Sequence, residues 1–395
     1  MRDTLQNIYF WYRELPNPDP GGFSSPEAYL EAVRYRTLDT SFSYVASKAE
    51  SDAFFSESQF IGIGLSTQRT GESEIRIAAV FPDSPASEAG IGRGDFLLSI
   101  NGKAIPDLIR TGEINTVFGP NTVGVTVALT WRRLGGGDRQ ATLAKRAVTI
   151  PTVSATRTID VRGRTVGYIH FRNFVTPSVA ALNNAFAQLK AEGAEDLVLD
   201  LRYNGGGLVS VAQQVGGLVG GSLTNGQVFS EFFHNDKNSS RNSSLRFELP
   251  AATLDLPRLV VITTRASASA SEAVINGLRP FVPVTVVGDT TYGKPVGQYG
   301  FDFCDKTLYP VAFAVRNARG EGDYFAGIPV DCAAADDLDH AIGDGAEASL
   351  AEALGYIRTG SCSGRAAFAA RAHALRREKA PPLPVDGWQQ LVGAY

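Results

Sequence analysis

Two stretches of the chain hold residue types that would make and support a nucleophile. The first is Thr264-Arg-Ala-Ser-Ala-Ser269-Ala-Ser-Glu272; the second is Val287-Gly-Asp-Thr-Thr-Tyr-Gly-Lys294-Pro-Val-Gly-Gln298. Ser269 stands where a helix should begin, beside unsatisfied N–H groups and the positive dipole end that stabilise an oxyanion. A hydroxyl is a poor nucleophile alone and needs a base within hydrogen-bond reach. Lys294, between Gly293 and Pro295 after an apolar strand, lies in a loop that could be pinned inward. Buried there, its ammonium would lose hydration and its pKa would fall toward neutrality, as a general base requires. Gln298, four residues on, would accept a hydrogen bond from the amine and fix its direction. Each residue also has a bland reading. Ser269 and Glu272 have capping-box spacing, Lys294 taken alone is a solvated loop lysine, and Gln298 alone is a strand-surface residue.

A third stretch, Leu197-Val-Leu-Asp-Leu-Arg-Tyr-Asn-Gly205-Gly206-Gly207, runs an apolar strand into three glycines. They would serve as a flexible turn, or as backbone that approaches a ligand more closely than any side chain allows. Together the three stretches resemble the active-site signature of the carboxyl-terminal processing (tail-specific, S41) serine peptidases. In that family the serine precedes Ala-Ser-Glu, the lysine follows Thr-x-Gly and a glutamine sits four later. The separation of 25 residues between Ser269 and Lys294 suits it. The resemblance implies a serine endopeptidase with Ser269 as nucleophile, Lys294 as base and Gln298 as its orienting partner. It also implies an oxyanion hole from Gly205 or Gly206 with the Ala270 amide. Two departures stand out: Pro280 and Pro283 flank a position usually filled otherwise, and Pro295 replaces the commoner glycine. A Ser–His–Asp triad through His340, in Asp336-Asp-Leu-Asp-His340, is the rival, but Ser269 is not in a G-x-S-x-G elbow. The non-enzymatic alternative is a binding or scaffold protein.

These residues need elements to position them. Strands and helices alternate beyond Pro151: Val166–Arg172, Pro177–Ala191, Asp196–Arg202, Leu208–Val219, Leu259–Thr263, Ser269–Arg279 and Val284–Gly288. The pattern predicts an α/β domain, and the resemblance implies a crotonase/ClpP-like core. Helices are expected at Ala346–Ile357 and Arg365–Arg377, and Leu308–Arg316 reads as one strand. From 59 to 150 short strands and turn signals replace this pattern. Phe60-Ile-Gly-Ile-Gly-Leu65, Ser84-Pro-Ala-Ser-Glu-Ala-Gly-Ile-Gly-Arg-Gly-Asp95 and Leu98-Ser-Ile-Asn-Gly102 resemble a PDZ domain of the bacterial protease type. That likeness implies capture of a peptide's C-terminal tail along a strand edge, at Ile61, Gly62, Ile63, Gly64 and Leu65, opposite a helix near Asn115–Phe118. Residues 4–13 and 26–58 read as helices that pack on something else, with no visible chemistry. The expected organisation is an N-terminal helical segment (1–58), an inserted PDZ-type β-rich domain (59–150) that gates the core, and a catalytic α/β domain with a helical tail (151–395). The apolar end Leu391–Tyr395 would compete for the PDZ groove.

Bulk composition narrows the partners. The 37 basic and 41 acidic residues are spread without a basic block, which gives nucleic acid or an anionic membrane little to bind. No apolar run is long enough to span a bilayer, and Met1-Arg-Asp-Thr4 does not read as a secretory leader. The four histidines and three cysteines show no metal-ligand spacing, so neither metal nor cofactor is expected. The partner is a protein or peptide substrate, with a homo-oligomer as a further option. The family likeness implies a cell-envelope, periplasmic or secreted location. It also implies a Cys304–Cys332 disulfide that leaves Cys362 over.

Overall fold

The computed structural model describes residues 1–364, so the helix expected at Arg365–Arg377 and the end Leu391–Tyr395 lie outside the described residues. At its centre is a six-stranded sheet, ordered Val153–Val161, Arg164–Phe171, Asp196–Asp200, Leu259–Thr263, Val284–Gly288 and Cys332–Ala333. The first pair is antiparallel and the later pairs are parallel. Parallel strands covered on both faces need apolar side chains on both. Accordingly Asp196–Asp200 and Leu259–Thr263 are buried at every position. Alternation then sorts them by face. Leu197, Leu199 and Val261 meet the helices Ser178–Ala191, Val209–Gly220 and Ala270–Leu278. Val198, Val260 and Ile262 meet the helix Ala348–Thr359.

Three adjacent parallel strands must end on the same edge. The glycine stretch after Asp200, the turn before Ser269 and the loop that carries Lys294 therefore leave the sheet side by side, the usual place for a site in an open α/β sheet.

The N-terminal part differs from expectation. Residues 26–58 are not one helical stretch; they form the helix Pro26–Val33, the strand Tyr44–Ser47 and the helix Lys48–Glu57. The strand exists because Lys306–Tyr309 pairs with it antiparallel, Tyr44 opposite Tyr309. The expected single strand Leu308–Arg316 is broken at Pro310, which has no N–H for a ladder. Its halves join different sheets. Leu5, Tyr9, Leu30 and Phe42 pack against Val296 and Val311 beside the Lys294 loop.

The β-rich part runs antiparallel as Leu65–Arg69, Ile75–Val80, Phe96–Ile100, Thr126–Arg132 and Asp138–Ala144. Gln59–Gly62 pairs with Arg146–Thr149 at its base. Leu65–Arg69 is an edge strand, and the wall expected at Asn115–Phe118 is a single 3-10 turn, Thr116–Phe118.

The disulfide expectation is corrected. Cys332 is bonded to Cys362, and Cys304 is free and exposed. Cys304 sits at the tip of the hairpin between Phe301–Phe303 and Lys306–Tyr309. Cys332 lies in the edge strand of the main sheet, and the helix Ala348–Thr359, packed over that sheet, delivers Cys362 to it.

Candidate active site

Ser269 begins the helix Ala270–Leu278 with φ +56° and ψ −112°. A residue with a Cβ in this region is strained by roughly 1–3 kcal/mol and persists only where its surroundings over-determine it. Those surroundings are specific. Ser267 Oγ donates to the Leu201 carbonyl at 2.7 Å, while the Ala268 amide and Ser271 Oγ both donate to the Asn204 carbonyl, at 3.1 and 2.8 Å. The serine turn is thereby tied to the glycine stretch on the neighbouring strand.

The tie to the lysine loop runs through Glu272. The Ser269 amide donates to Glu272 Oε2 at 2.8 Å, half of the capping box that the spacing suggests. The same oxygen accepts the Lys294 amide at 2.8 Å. Its other oxygen accepts the Gly293 amide at 2.7 Å and Thr291 Oγ1 at 2.6 Å. Burial pushes the Glu272 carboxyl up, and these four donors offset only part of that rise. One carboxylate thus clamps the nucleophile's turn to the base's loop. Sequence spacing suggested only a helix cap, because three of the four donors arrive from residues 291–294.

Lys294 is buried at 8% exposure. Loss of hydration lowers its ammonium to about 8, against the opposing pull of the Asp39 and Glu272 charges. Its Nζ donates to Gln298 Oε1 at 2.6 Å. Both Gln298 N–H groups are engaged, with the Phe42 carbonyl at 2.6 Å and the Tyr309 carbonyl at 2.9 Å. The amide can therefore present only its oxygen to the lysine. The structure brings Lys294 and Gln298 into direct contact and Ser269 onto the same clamp. Among the described residues, no hydrogen bond joins Ser269 Oγ to Lys294 Nζ.

The glycine stretch is forced as well as flexible. Gly206 has φ +107°, and a Cβ there would lie 2.8 Å from both the Ala270 nitrogen and Ser269 Cβ. Its own amide donates to Asn204 Oδ1 at 3.0 Å. The buried amides of Gly205 and Ala270 carry no hydrogen bond to another described residue. Arg202, fully buried, anchors the strand end through Asp200 and Glu347.

Of the five residues assigned to the tail groove, Ile63 and Leu65 are fully buried in the core of the β-rich part. Ile61 and Gly62 lie in the basal ladder. Gly64, with φ +87°, precedes the edge strand. The β-rich part touches the core through Arg93, which donates to Tyr203 Oη at 3.0 Å and to the carbonyls of Asp337 and His340, both at 3.0 Å. Tyr203 Oη donates to Asp336 Oδ1 at 2.6 Å. His340 Nδ1 lies 2.7 Å from Asp337 Oδ2, and no hydrogen bond connects its ring to Ser269. One trio of possible metal ligands occurs among the described residues, Cys332, Glu352 and Cys362. Its two sulfurs are joined to each other.

Residues 165–331 match the family model of peptidase family S41, residues 1–44 that of the peptidase S41 N-terminal domain, and residues 76–117 that of the PDZ domain. The carboxyl-terminal-processing protease of Synechocystis sp. is 29% identical over 248 residues, 62% of this chain and 55% of that protein. The carboxy-terminal processing protease CtpA of Bacillus subtilis is 25% identical over 296 residues, 74% of this chain and 60% of that protein. The chain thus spans a little over half the length of these relatives. The crystal structure of an S41 protease from Bacteroides fragilis superposes with a TM-score of 0.71 at 25% identity, covering 91% of this chain and 96% of that one.

Proposed function

We propose, from the premise that the chain belongs to peptidase family S41, that it is a serine endopeptidase whose Ser269 and Lys294 act as a dyad. The observation that carries this reading is the Glu272 clamp. It fixes a buried lysine, half or less protonated above pH 8, on the same joint as a strained serine at a helix N-terminus.

In this mechanism the neutral Lys294 amine takes the Ser269 Oγ proton as Oγ bonds to the scissile carbonyl carbon. The oxyanion forms against the Gly205 and Ala270 amides, which are preferred to Gly206 because its N–H is already given to Asn204. The Lys294 ammonium returns its proton to the leaving nitrogen as the C–N bond breaks, leaving an ester on Ser269. Lys294 then removes a proton from water as the water oxygen bonds to the ester carbon, and returns that proton to Ser269 Oγ as the ester C–O bond breaks and the acid leaves. Gln298 holds the amine while its lone pair turns to Ser269. Contacts of this kind are often long without substrate and tighten when it binds.

The substrate is a protein or peptide engaged by its C-terminal tail along the edge strand Leu65–Arg69. The β-rich part is a gate as well as a holder: Arg93 reaches Tyr203, two residues from Gly205, so a tail that shifts this part also shifts the oxyanion loop. The disulfide supports a location where thiols are oxidised, in the cell envelope or outside the cell.

The test is cleavage of a model protein with an apolar C-terminal tail, together with labelling of Ser269 by a fluorophosphonate. Ser269→Ala should abolish both, and Lys294→Ala should abolish cleavage. Normal turnover by the Lys294→Ala protein would refute the dyad.

A further inference from the structure

One wall of the Lys294 site is built by the N-terminal segment, through Phe42. Asp39 lies there with no solvent exposure, and no ion pair reaches it among the described residues. Its charge is held by four uncharged donors. Oδ1 accepts the amides of Phe42 and Ser43, both at 2.9 Å; Oδ2 accepts Tyr9 Oη at 2.9 Å and Ser43 Oγ at 2.6 Å. A buried carboxylate without a cation is costly unless its hydrogen bonds are complete. Here they are, so the fold maintains a fixed negative charge at this place.

Two routes lead from that charge to the base. The bonded amide of Phe42 fixes a residue whose carbonyl accepts Gln298 Nε2, and Gln298 Oε1 holds Lys294 Nζ. The Phe42 ring also faces the amine, its centroid 5.9 Å from Nζ. The second route is direct: the charges that act on Lys294 are Asp39 from the N-terminal segment and Glu272 from the helix beyond Ser269. The titratable side chain bonded to Asp39 is Tyr9; Arg34, whose charge acts on Tyr9, is engaged with Glu31.

We propose that Asp39 is a positioning residue for Lys294, holding Gln298 through Phe42 and stabilising by its charge the ammonium formed when Lys294 takes a proton. The inference rests on the Ser–Lys reading, and it makes the N-terminal segment part of the catalytic apparatus.

Asp39→Asn keeps an acceptor for the two amides and removes the charge. Lys294 is active when neutral, so losing a stabilising anion should move the acid limb of kcat/KM to lower pH, by roughly half to one pH unit. Tyr9→Phe removes one donor and keeps the charge, so its limb should coincide with that of the wild type. An unmoved limb in Asp39→Asn, or an equal displacement in Tyr9→Phe, would overturn the proposal, because loosened packing alone lowers activity without moving the limb. If the Asn protein does not fold, Asp39→Ser carries the same expectation. The Lys294 titration is also read directly, from its labelled 13Cε resonance in Ser269→Ala protein with and without Asp39→Asn. A moved resonance alongside an active Lys294→Ala enzyme would sink the dyad and leave the Asp39 coupling standing. An unmoved resonance sinks the coupling whatever the dyad does.

Discussion

Replacing Glu272 with glutamine keeps its shape and removes the property that makes it a clamp. The carboxylate meets four donors and has no proton to give. Glutamine has one oxygen. If that oxygen stays with the Ser269 and Lys294 amides, the new NH2 faces the Gly293 amide, donor against donor. Thr291 Oγ1, which already accepts the Ile328 amide at 2.7 Å, can turn to accept from it. One contact is then lost outright and the others lose their charge assistance, about 2–4 kcal/mol in all at 1.5–3 kcal/mol per charged hydrogen bond. Part of this loss should appear as stability, a fall in Tm of roughly 2–4 °C. The rest should appear as misalignment of Ser269 with Lys294, a loss of about tenfold or more in kcat with little change in KM, since each 1.4 kcal/mol on the barrier is tenfold. The assay is steady-state cleavage of a tailed fluorogenic peptide, with a thermal melt of the same protein. Unchanged kcat and unchanged Tm would refute the clamp.

Ser269→Ala and Lys294→Ala should be non-additive, the double variant being no slower than either single, because the pair acts as a unit; additive losses in single-turnover cleavage would contradict this. Wild-type kcat/KM should rise with pH through about 8, where Lys294 sheds its proton, and a limb confined to the range of ordinary histidine would point to another base. One thiol, that of Cys304, should react in denatured, unreduced protein, and three would count against the Cys332–Cys362 bond. Cutting that bond with a Cys362→Ser change should remove about 3–4 kcal/mol of stability, the chain-entropy value for its 30-residue separation. Arg93→Ala should alter cleavage of tailed proteins more than of short untailed peptides; equal effects on both would argue against gating through Tyr203.

Much of the core was legible because its signals are local. Leu197–Leu199 and Leu259–Ile262 are apolar without a break, which strands covered on both faces sustain. Ser-Ala-Ser-Glu and Gly-Lys each mark a strand-to-helix or strand-to-loop exit, and parallel pairing puts those exits together. What stayed hidden depends on distant partners. Tyr44–Ser47 became a strand because of Lys306–Tyr309, and no pattern within residues 26–58 announces such a partner. Glu272 looked like a cap because its first donor is three residues away, whereas the others come from residues 291–294. Asp39 gave no signal at all, since a turn aspartate and a buried counter-charge look alike until Gln298 is placed. The cysteine pairing failed for the same reason: three cysteines allow three pairings, and only the packing of Ala348–Thr359 over the sheet selects one.

The β-rich part enters and leaves through one short ladder, Gln59–Gly62 against Arg146–Thr149, braced by the Ser58 and Ile150 backbones at 2.8 Å. Gly62 and Arg146 are register partners, and cross-strand neighbours stand about 5 Å apart. A gap of that width can be closed by a two-residue hairpin turn. The eighty-odd intervening residues are thus a cassette: a lineage can gain, discard or exchange them at this doorway while every strand of the six-stranded sheet keeps its neighbours. A protein engineer can use the same doorway, fitting a different β-rich module to an unchanged six-stranded core.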